Sequence, residues 1–460
     1  MSFIKRYVGD RKFYLEVVAT AVPIMIQMGI TNFVNLLDNI MVGSLGTESM
    51  SGVSIVNQFV FIFNLLVFGA VSAAGIFTAQ FHGKGDDTSV RATFRFKLIV
   101  NLAVGVLGVL VFYVFSDVLV KLFLHDDGTG ADLQLVFQEA KSYLLYILIG
   151  LVPYSVSQAY ASTLRECERT VLPMVSSIAS VVTNFVLNLI LIFGLLGFPA
   201  LGVAGAAIAT SISRVVELLI LVVWTHTHTG RYTFARGLYR SLRIPGELTV
   251  RIIKKGMPII INECMWSVAI TVRNQCYSTR GVTALAASSV ASTVFNVFSV
   301  VYLSMGSAIA IMVGTRLGAG EIEKARDTSR KMIAFSVFAA AVIGCMLLSV
   351  TPFLPKLFDV DADVQSLATY MLSVQCILMP IFAFANTSYY TIRSGGKVLI
   401  TMLMDSGFMW ACVVPVSAIL AYATGMDIYF LYPICQATDI LKVALGAILL
   451  KKYNWARRVV

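Results

Sequence analysis

Charge is scarce in this sequence: Asp, Glu, Lys and Arg together supply 13% of its 460 residues, against about 25% in ordinary globular domains. That scarcity, beside an apolar share of 58%, argues against a water-soluble fold and makes lipid the expected solvent. A Gly-x-x-x-x-Gly-Lys-Ser/Thr loop is absent, and no polar stretch is long enough to house a nucleotide-binding domain, so an ATP-driven pump is not expected. Histidine is rare. His82, His125, His226 and His228 all fall in predicted loops, which leaves no intramembrane metal constellation, and the closely spaced His226 and His228 are a weak metal signal alone. The seven cysteines (Cys167, Cys264, Cys276, Cys345, Cys376, Cys412 and Cys435) are scattered through apolar segments without metal-ligand spacing and read as small core hydrophobes. With no catalytic His, Ser or Cys constellation, neither an enzyme nor a cofactor is expected.

What the sequence has in abundance is apolar runs. Twelve approach or exceed the roughly twenty residues needed to cross a bilayer: 14–42, 53–79, 96–115, 135–164, 171–195, 203–224, 257–277, 285–313, 332–350, 367–392, 398–422 and 428–450. The first is too long for the apolar part of a signal peptide and no small-residue cleavage pattern follows it, so it reads as a retained span. The net charge of +10 would suggest nucleic acid only if the bases formed a soluble patch. They do not. With the N-terminus inside, 28 of the 35 Lys and Arg fall on the cytoplasmic side, while Lys121, Arg280 and Lys356 face out and Lys141, Arg214, Arg273 and Lys442 lie in or at the edge of spans. This positive-inside asymmetry predicts a multi-pass protein with both termini cytoplasmic, and nucleic acid is not an expected partner.

The longest connection divides the chain into an N-terminal lobe (residues 1–224), a cytoplasmic linker (225–255) and a C-terminal lobe (256–460). An offset of 235 aligns Pro23 with Pro258, Gly46 with Gly281, Gly83 with Gly318, Gly85 with Gly320, Asp86 with Glu321 and Arg91 with Arg326. An offset of 228 then aligns Thr163 with Thr391, Arg165 with Arg393 and Met174 with Met402. Six spans per half is an even number, so the halves enter from the same side as parallel repeats. The predicted fold is all-α and integral to the membrane, with twelve helices in two six-helix lobes.

A charge near the bilayer centre costs at least about 2.5 kcal/mol on insertion scales, so each is a functional candidate. On the first span Gln27, Thr31, Asn35 and Asp38 fall on one helical stripe. Withdrawn from bulk water, the Asp38 carboxyl is a candidate for proton binding and release near neutral pH. Asn184 and Asn188, at i, i+4 on the fifth span, share a face and can hydrogen-bond a carboxyl on a neighbouring helix. The second span offers Asn57, Asn64 and Gln80. In the other half Glu263, Ser267, Thr271 and Asn274 form a second stripe, Arg273 lies nearby, and Asp405 sits in the eleventh span. Arg214 with Glu217 and Asp439 with Lys442 are i, i+3 pairs that read as mutual neutralisation.

The run Asn35 to Gly46 (Asn-Leu-Leu-Asp-Asn-Ile-Met-Val-Gly-Ser-Leu-Gly), the Gly-Lys-Gly-Asp loop after the second span, and the Thr-Leu-Arg (Thr163 to Arg165) and Thr-Ile-Arg (Thr391 to Arg393) triplets resemble the multidrug and toxic compound extrusion (MATE) family in its bacterial NorM-like branch. The resemblance covers the whole chain. It implies a V-shaped pair of lobes in a bacterial cytoplasmic membrane, exporting amphipathic, often cationic small molecules by antiport with H⁺ or Na⁺. It makes Asp38 the first-lobe carboxylate with Asn184 and Asn188 as partners, Asn188 standing where some members carry a second acid. Glu263 matches the seventh-span acid of the second lobe. The tenth-span acid of that branch is absent here, the region offering Asn386 and hydroxyl groups, and Asp405 is the expected substitute. The expected coupling groups are therefore Asp38, Glu263 and Asp405, with Na⁺ possible at the first two. Gln27, Asn35, Asn57, Asn184, Asn188, Ser267 and Asn386 are expected to line the cavity, with lipid around the outside. A lipid-linked oligosaccharide flippase of related fold stays open as the alternative, ahead of a channel or an intramembrane enzyme.

Overall fold

The computed structural model describes residues 7–123, 132–358, 360–452 and 454–460, and among these residues there is no strand. His125 lies outside them, as does the side chain of Asn35. The spans are span 1 (Arg11–Gly43), span 2 (Thr47–Lys84), span 3 (Asp87–Val114), span 4 (Leu133–Glu166), span 5 (Val171–Phe193) and span 6 (Gly202–Thr227). They continue as span 7 (Gly246–Ser278), span 8 (Val282–Gly318), span 9 (Ile322–Val350), span 10 (Ala362–Ser394), span 11 (Val398–Ala423) and span 12 (Ile428–Lys452). Eleven of the described helices are long and apolar enough to cross a membrane. Span 7 is not among them, although it is 33 residues long, because Asn262, Glu263, Arg273 and Asn274 interrupt its apolar run.

The helix ends follow local chemistry. The Asp86 carboxylate accepts the Ser89 N–H at 3.0 Å and caps span 3, and Asp132 and Asp427 cap spans 4 and 12 in the same way. Gly85 and Gly320, equivalent under the 235 offset, both turn the chain with φ near +80° (+76° and +82°), a conformation that a Cβ would strain. Span 11 departs from α geometry. Its backbone widens into π turns at Leu403–Gly407, Met409–Val413 and Ile419–Ala423, which mark inserted side chains or functional positions more often than ordinary packing.

Two compact units emerge, and their boundary runs through spans 1 and 2. One comprises Ile26–Thr78 and Asp86–Gly256; the other comprises the chain up to Met25, Ala79–Gly85 and Met257–Val460. The core of the former gathers Val53, Phe63, Tyr143, Leu148, Ile192 and Val203. The latter has one core around Tyr277, Met371, Cys376 and Tyr432 and another around Met305, Met312, Ile392 and Trp455. Cys167, Cys276, Cys376 and Cys435 are buried as expected of core hydrophobes, but Cys264 and Cys345 lie on exposed helix faces.

The connection after span 6 is not a loose tether. Phe234, Ala235 and Leu238 are buried, and the Arg95 guanidinium donates to the carbonyls of Leu238 at 2.8 Å and Gly237 at 3.1 Å while Arg91 donates to that of Phe234. His226, in this segment's approach, hydrogen-bonds the Tyr160 hydroxyl at 2.9 Å.

In the second unit, the ends of spans 2 and 8 touch main chain to main chain. Gly83 lies over the backbone of Thr315, and Gly318 over that of Gln80, so closely that a Cβ on either would overlap those atoms. The 235 offset converts Gly83 to Gly318 and Gln80 to Thr315, so each contact is the repeat image of the other. Gly83→Ala and Gly318→Ala are each expected to cost about 1–3 kcal/mol through overpacking, read as a lowered midpoint in thermal unfolding of the detergent-solubilised protein; unchanged melting of both would show that the approach is not tight.

Candidate functional site

In the unit containing Ile26–Thr78 and Asp86–Gly256, spans 1 and 5 run parallel and meet at two levels. The Gln27 amide donates to Ser177 Oγ at 2.7 Å, and eleven residues further along both helices the Asn188 amide donates to Asp38 Oδ1 at 2.6 Å. Eleven residues complete three turns of a helix with little angular drift, so both pairs face the same way. At the Asp38 level Asn188 also donates to Asn184 at 3.3 Å, and Asn184 donates to Thr210 Oγ1 at 3.1 Å. Asn188 is buried, and its own Oδ1 has no hydrogen-bond partner among the described residues. An orphaned buried acceptor beside a carboxylate is the donor set that a proton or monovalent cation would complete.

The two levels are joined by charge. Ser177 donates to Glu217 Oε1 at 2.9 Å, and the Arg214 guanidinium lies 3.3 Å from Glu217 Oε2. Arg214 also lies in the field of Asp38 and packs its guanidinium 4.8 Å from the centre of the Tyr154 ring. Arg165 donates to Gln27 Oε1 at 3.1 Å and closes the lower end of the string. Beneath it the fully buried Lys97 ammonium pairs with Glu166 and donates to Ser162 at 2.9 Å.

The other unit builds a comparable interior around Asp405. Asn262 on span 7 donates to Asp405 Oδ2 at 3.1 Å, and the Lys442 ammonium on span 12 pairs with Asp405 Oδ1. Asn262 Oδ1 accepts the Ser406 N–H at 3.3 Å and the Ser406 hydroxyl at 2.7 Å. A side-chain amide thus inserts into the helical ladder and takes a backbone donor, which accounts for the π turn at Leu403–Gly407. Glu263 stands in the fields of Arg393 and Asp405, and Arg273 in that of Asp439.

The sequence-predicted residues sort accordingly. Asp38, Asn184, Asn188 and Gln27 belong to one hydrogen-bonded string, and Glu263 and Asp405 are neighbours in the other unit. Asn57 is exposed on span 2, Ser267 is engaged through its backbone carbonyl by Thr271, and Asn386 packs against Gly306 of span 8. The expected Asp439–Lys442 neutralisation is only part of the arrangement: Lys442 reaches across to span 11 and makes its ion pair with Asp405, while Asp439 stays in its field. Sequence reasoning missed Ser177, Thr210, Asn262 and Ser406, and it read Glu217 only as a local partner of Arg214. The repeat offsets held the missing signal. An offset of 235 carries Gln27 onto Asn262, and 228 carries Ser177 onto Asp405, Arg165 onto Arg393 and Arg214 onto Lys442.

Comparison with known proteins agrees with this architecture. The MatE family model matches residues 23–190 and 258–422. A probable multidrug resistance protein, YoeA of Bacillus subtilis, is 24% identical over 92% of this chain and 90% of its own length. The probable multidrug resistance protein NorM of Thermotoga maritima is 23% identical over 97% of this chain and 94% of its own. A solved outward-facing multidrug resistance MATE family transporter superposes with a TM-score of 0.85 at 20% identity, covering 98% of both chains.

Asp405→Asn leaves a largely buried ammonium, 12% exposed, without its counter-ion. The expected loss is about 3–5 kcal/mol in denaturant titration, with most of it regained in the double variant D405N/K442M; equal stability of D405N and the parent would mean that the pair is not what holds Lys442.

Proposed function

The chain belongs to the MatE family, and from that premise we propose that it is a multidrug efflux antiporter of a bacterial cytoplasmic membrane, exporting amphipathic organic cations in exchange for H⁺ or Na⁺. The carrying observation is Asp38, held by Asn188 inside a helical bundle beside the unsatisfied Asn188 Oδ1. A carboxylate with amide oxygens around it binds a proton or Na⁺ when opened to one face and releases it at the other. Exchange follows if ion and cargo prefer opposite states of the protein or compete for the same groups. Glu263 and Asp405 supply the coupling carboxylates of the second unit, Asp405 becoming available when Lys442 withdraws. Both termini face the cytoplasm under the positive-inside distribution of Lys and Arg. A lipid-linked oligosaccharide flippase would need a strongly cationic interior for its diphosphate. Here Asp38, Glu166 and Glu217 balance Lys97, Arg165 and Arg214, while Glu263, Asp405 and Asp439 balance Arg273, Arg393 and Lys442, which favours the antiporter.

Proteoliposomes given a pH gradient or a Na⁺ gradient separately, with ethidium as the probe cation, test this reading. The intact protein is expected to drive ethidium uphill on at least one gradient, and Asp38→Asn to slow it at least about tenfold. Uphill transport at the parental rate by D38N removes Asp38 as the coupling group, and transport on neither gradient removes antiport.

A further inference from the structure

Arg214 is paired with one carboxylate and stands in the field of a second. Its guanidinium, 31% exposed, is bonded to Glu217, which is 3% exposed, and it also lies in the field of Asp38. The Tyr154 ring supports the guanidinium from one side, a contact that leaves its donors free to turn. Glu217 is fixed from the opposite side by the Ser177 hydroxyl, itself fixed by Gln27. The acceptor is therefore anchored and the long cationic side chain is the part that can move.

The other unit gives an independent precedent. Lys442 is the repeat equivalent of Arg214 under the 228 offset, and it sits directly on a carboxylate, Asp405. The same position on spans 6 and 12 thus delivers a tethered cation to the interior twice. In one unit it rests on an acid proposed for coupling, and in the other it is held by a different acid.

We infer that Glu217 is a holding site that keeps Arg214 off Asp38, and that Arg214 is a built-in competitor of the coupling cation for that carboxylate. When Asp38 takes its ion, Arg214 rests on Glu217; when Asp38 is emptied, the guanidinium moves across and neutralises it, leaving Glu217 to the Ser177 hydroxyl and the field of Arg165, so that the uncompensated charge is carried off the ion site during the return. Only ion pairs exchange, and no bond is made or broken. The charged and titratable groups facing Glu217 are Arg214, Arg165 and Tyr154, and those facing Asp38 are Arg214 and Tyr143. The coupling step rests on the antiport reading above, whereas the choice of partner by Arg214 does not.

Two readouts on the full-length protein separate these. Dicyclohexylcarbodiimide adds a protonated carboxyl across its C=N bond to give an N-acylurea, so labelling of Asp38, followed by peptide mass, reports whether that carboxyl is free of Arg214. Ethidium transport in proteoliposomes reports coupling. Glu217→Gln, which leaves Asp38 untouched, is expected to lower both at least about tenfold, and the double variant R214Q/E217Q to restore labelling to within about threefold of the parent while transport stays below it for want of the returning cation, a rescue of labelling that a merely structural role of Glu217 would not give. Parental labelling in E217Q, or labelling in the double variant as low as in E217Q, overturns the inference. Should E217Q fail to fold, Arg214→Gln alone is expected to raise Asp38 labelling, and unchanged labelling overturns the inference equally. If the parent moves no ethidium on either gradient the antiport reading falls, while the labelling arm still decides which acid Arg214 serves.

Discussion

A charge withdrawn from water must be answered within a few ångströms, because leaving one partner of a buried pair alone costs about 3–5 kcal/mol. That constraint organises the interior of each unit. Lys97 is met by Glu166, Arg214 by Glu217 and Lys442 by Asp405, while amides and hydroxyls fill the remaining donor and acceptor positions. The apolar surface of the helices sets where the chain resides. These internal pairings decide how the spans register against each other, since Gln27 with Ser177 and Asp38 with Asn188 fix spans 1 and 5 at two levels.

Pairing of this kind also provides for movement. A salt bridge in a dry interior is strong only while both members are present, so any ion that enters or leaves one carboxylate changes what its neighbours prefer. Near Asp405 the same logic reaches the backbone: Asn262 takes a main-chain donor of span 11 as well as the carboxylate. Side-chain chemistry there is written into helix geometry, and a change at the acid reaches the π turn at Leu403–Gly407 without an intermediary.

Much of this was legible in the sequence. Long apolar runs announced the helices, and the i, i+4 spacing of Asn184 and Asn188 put both amides on one face, from which Asn188 reaches the Asp38 carboxylate while Asn184 turns to Thr210. Span 7 was legible despite its polar residues from the apolar run 257–277, and the repeat offset then aligned it with span 1 in sequence. What could not be read was partner choice. Spacing of i, i+3 made Asp439 the obvious answer to Lys442, yet a lysine side chain is long enough to choose an acid on another helix, and only packing decides which is nearer. Ser177 was invisible for a different reason: a serine in an apolar run is usually a filler, and it becomes part of the site through Gln27 and Glu217 on two other helices. The π turn at Leu403–Gly407 had no sequence signature at all, since its cause, Asn262, lies on a different span.

The paired glycines at the ends of spans 2 and 8 carry a consequence for how such a protein can change over time. Gly83 sits on the backbone of Thr315 and Gly318 on that of Gln80, two contacts that the repeat exchanges, so neither helix has slack that the other does not share. A bulkier side chain on one side finds no relief on the opposite side, which is its own copy. Ancestral duplication of a single segment would have created both faces of this interlock at once, and divergence of the halves is then freest wherever the two copies do not touch.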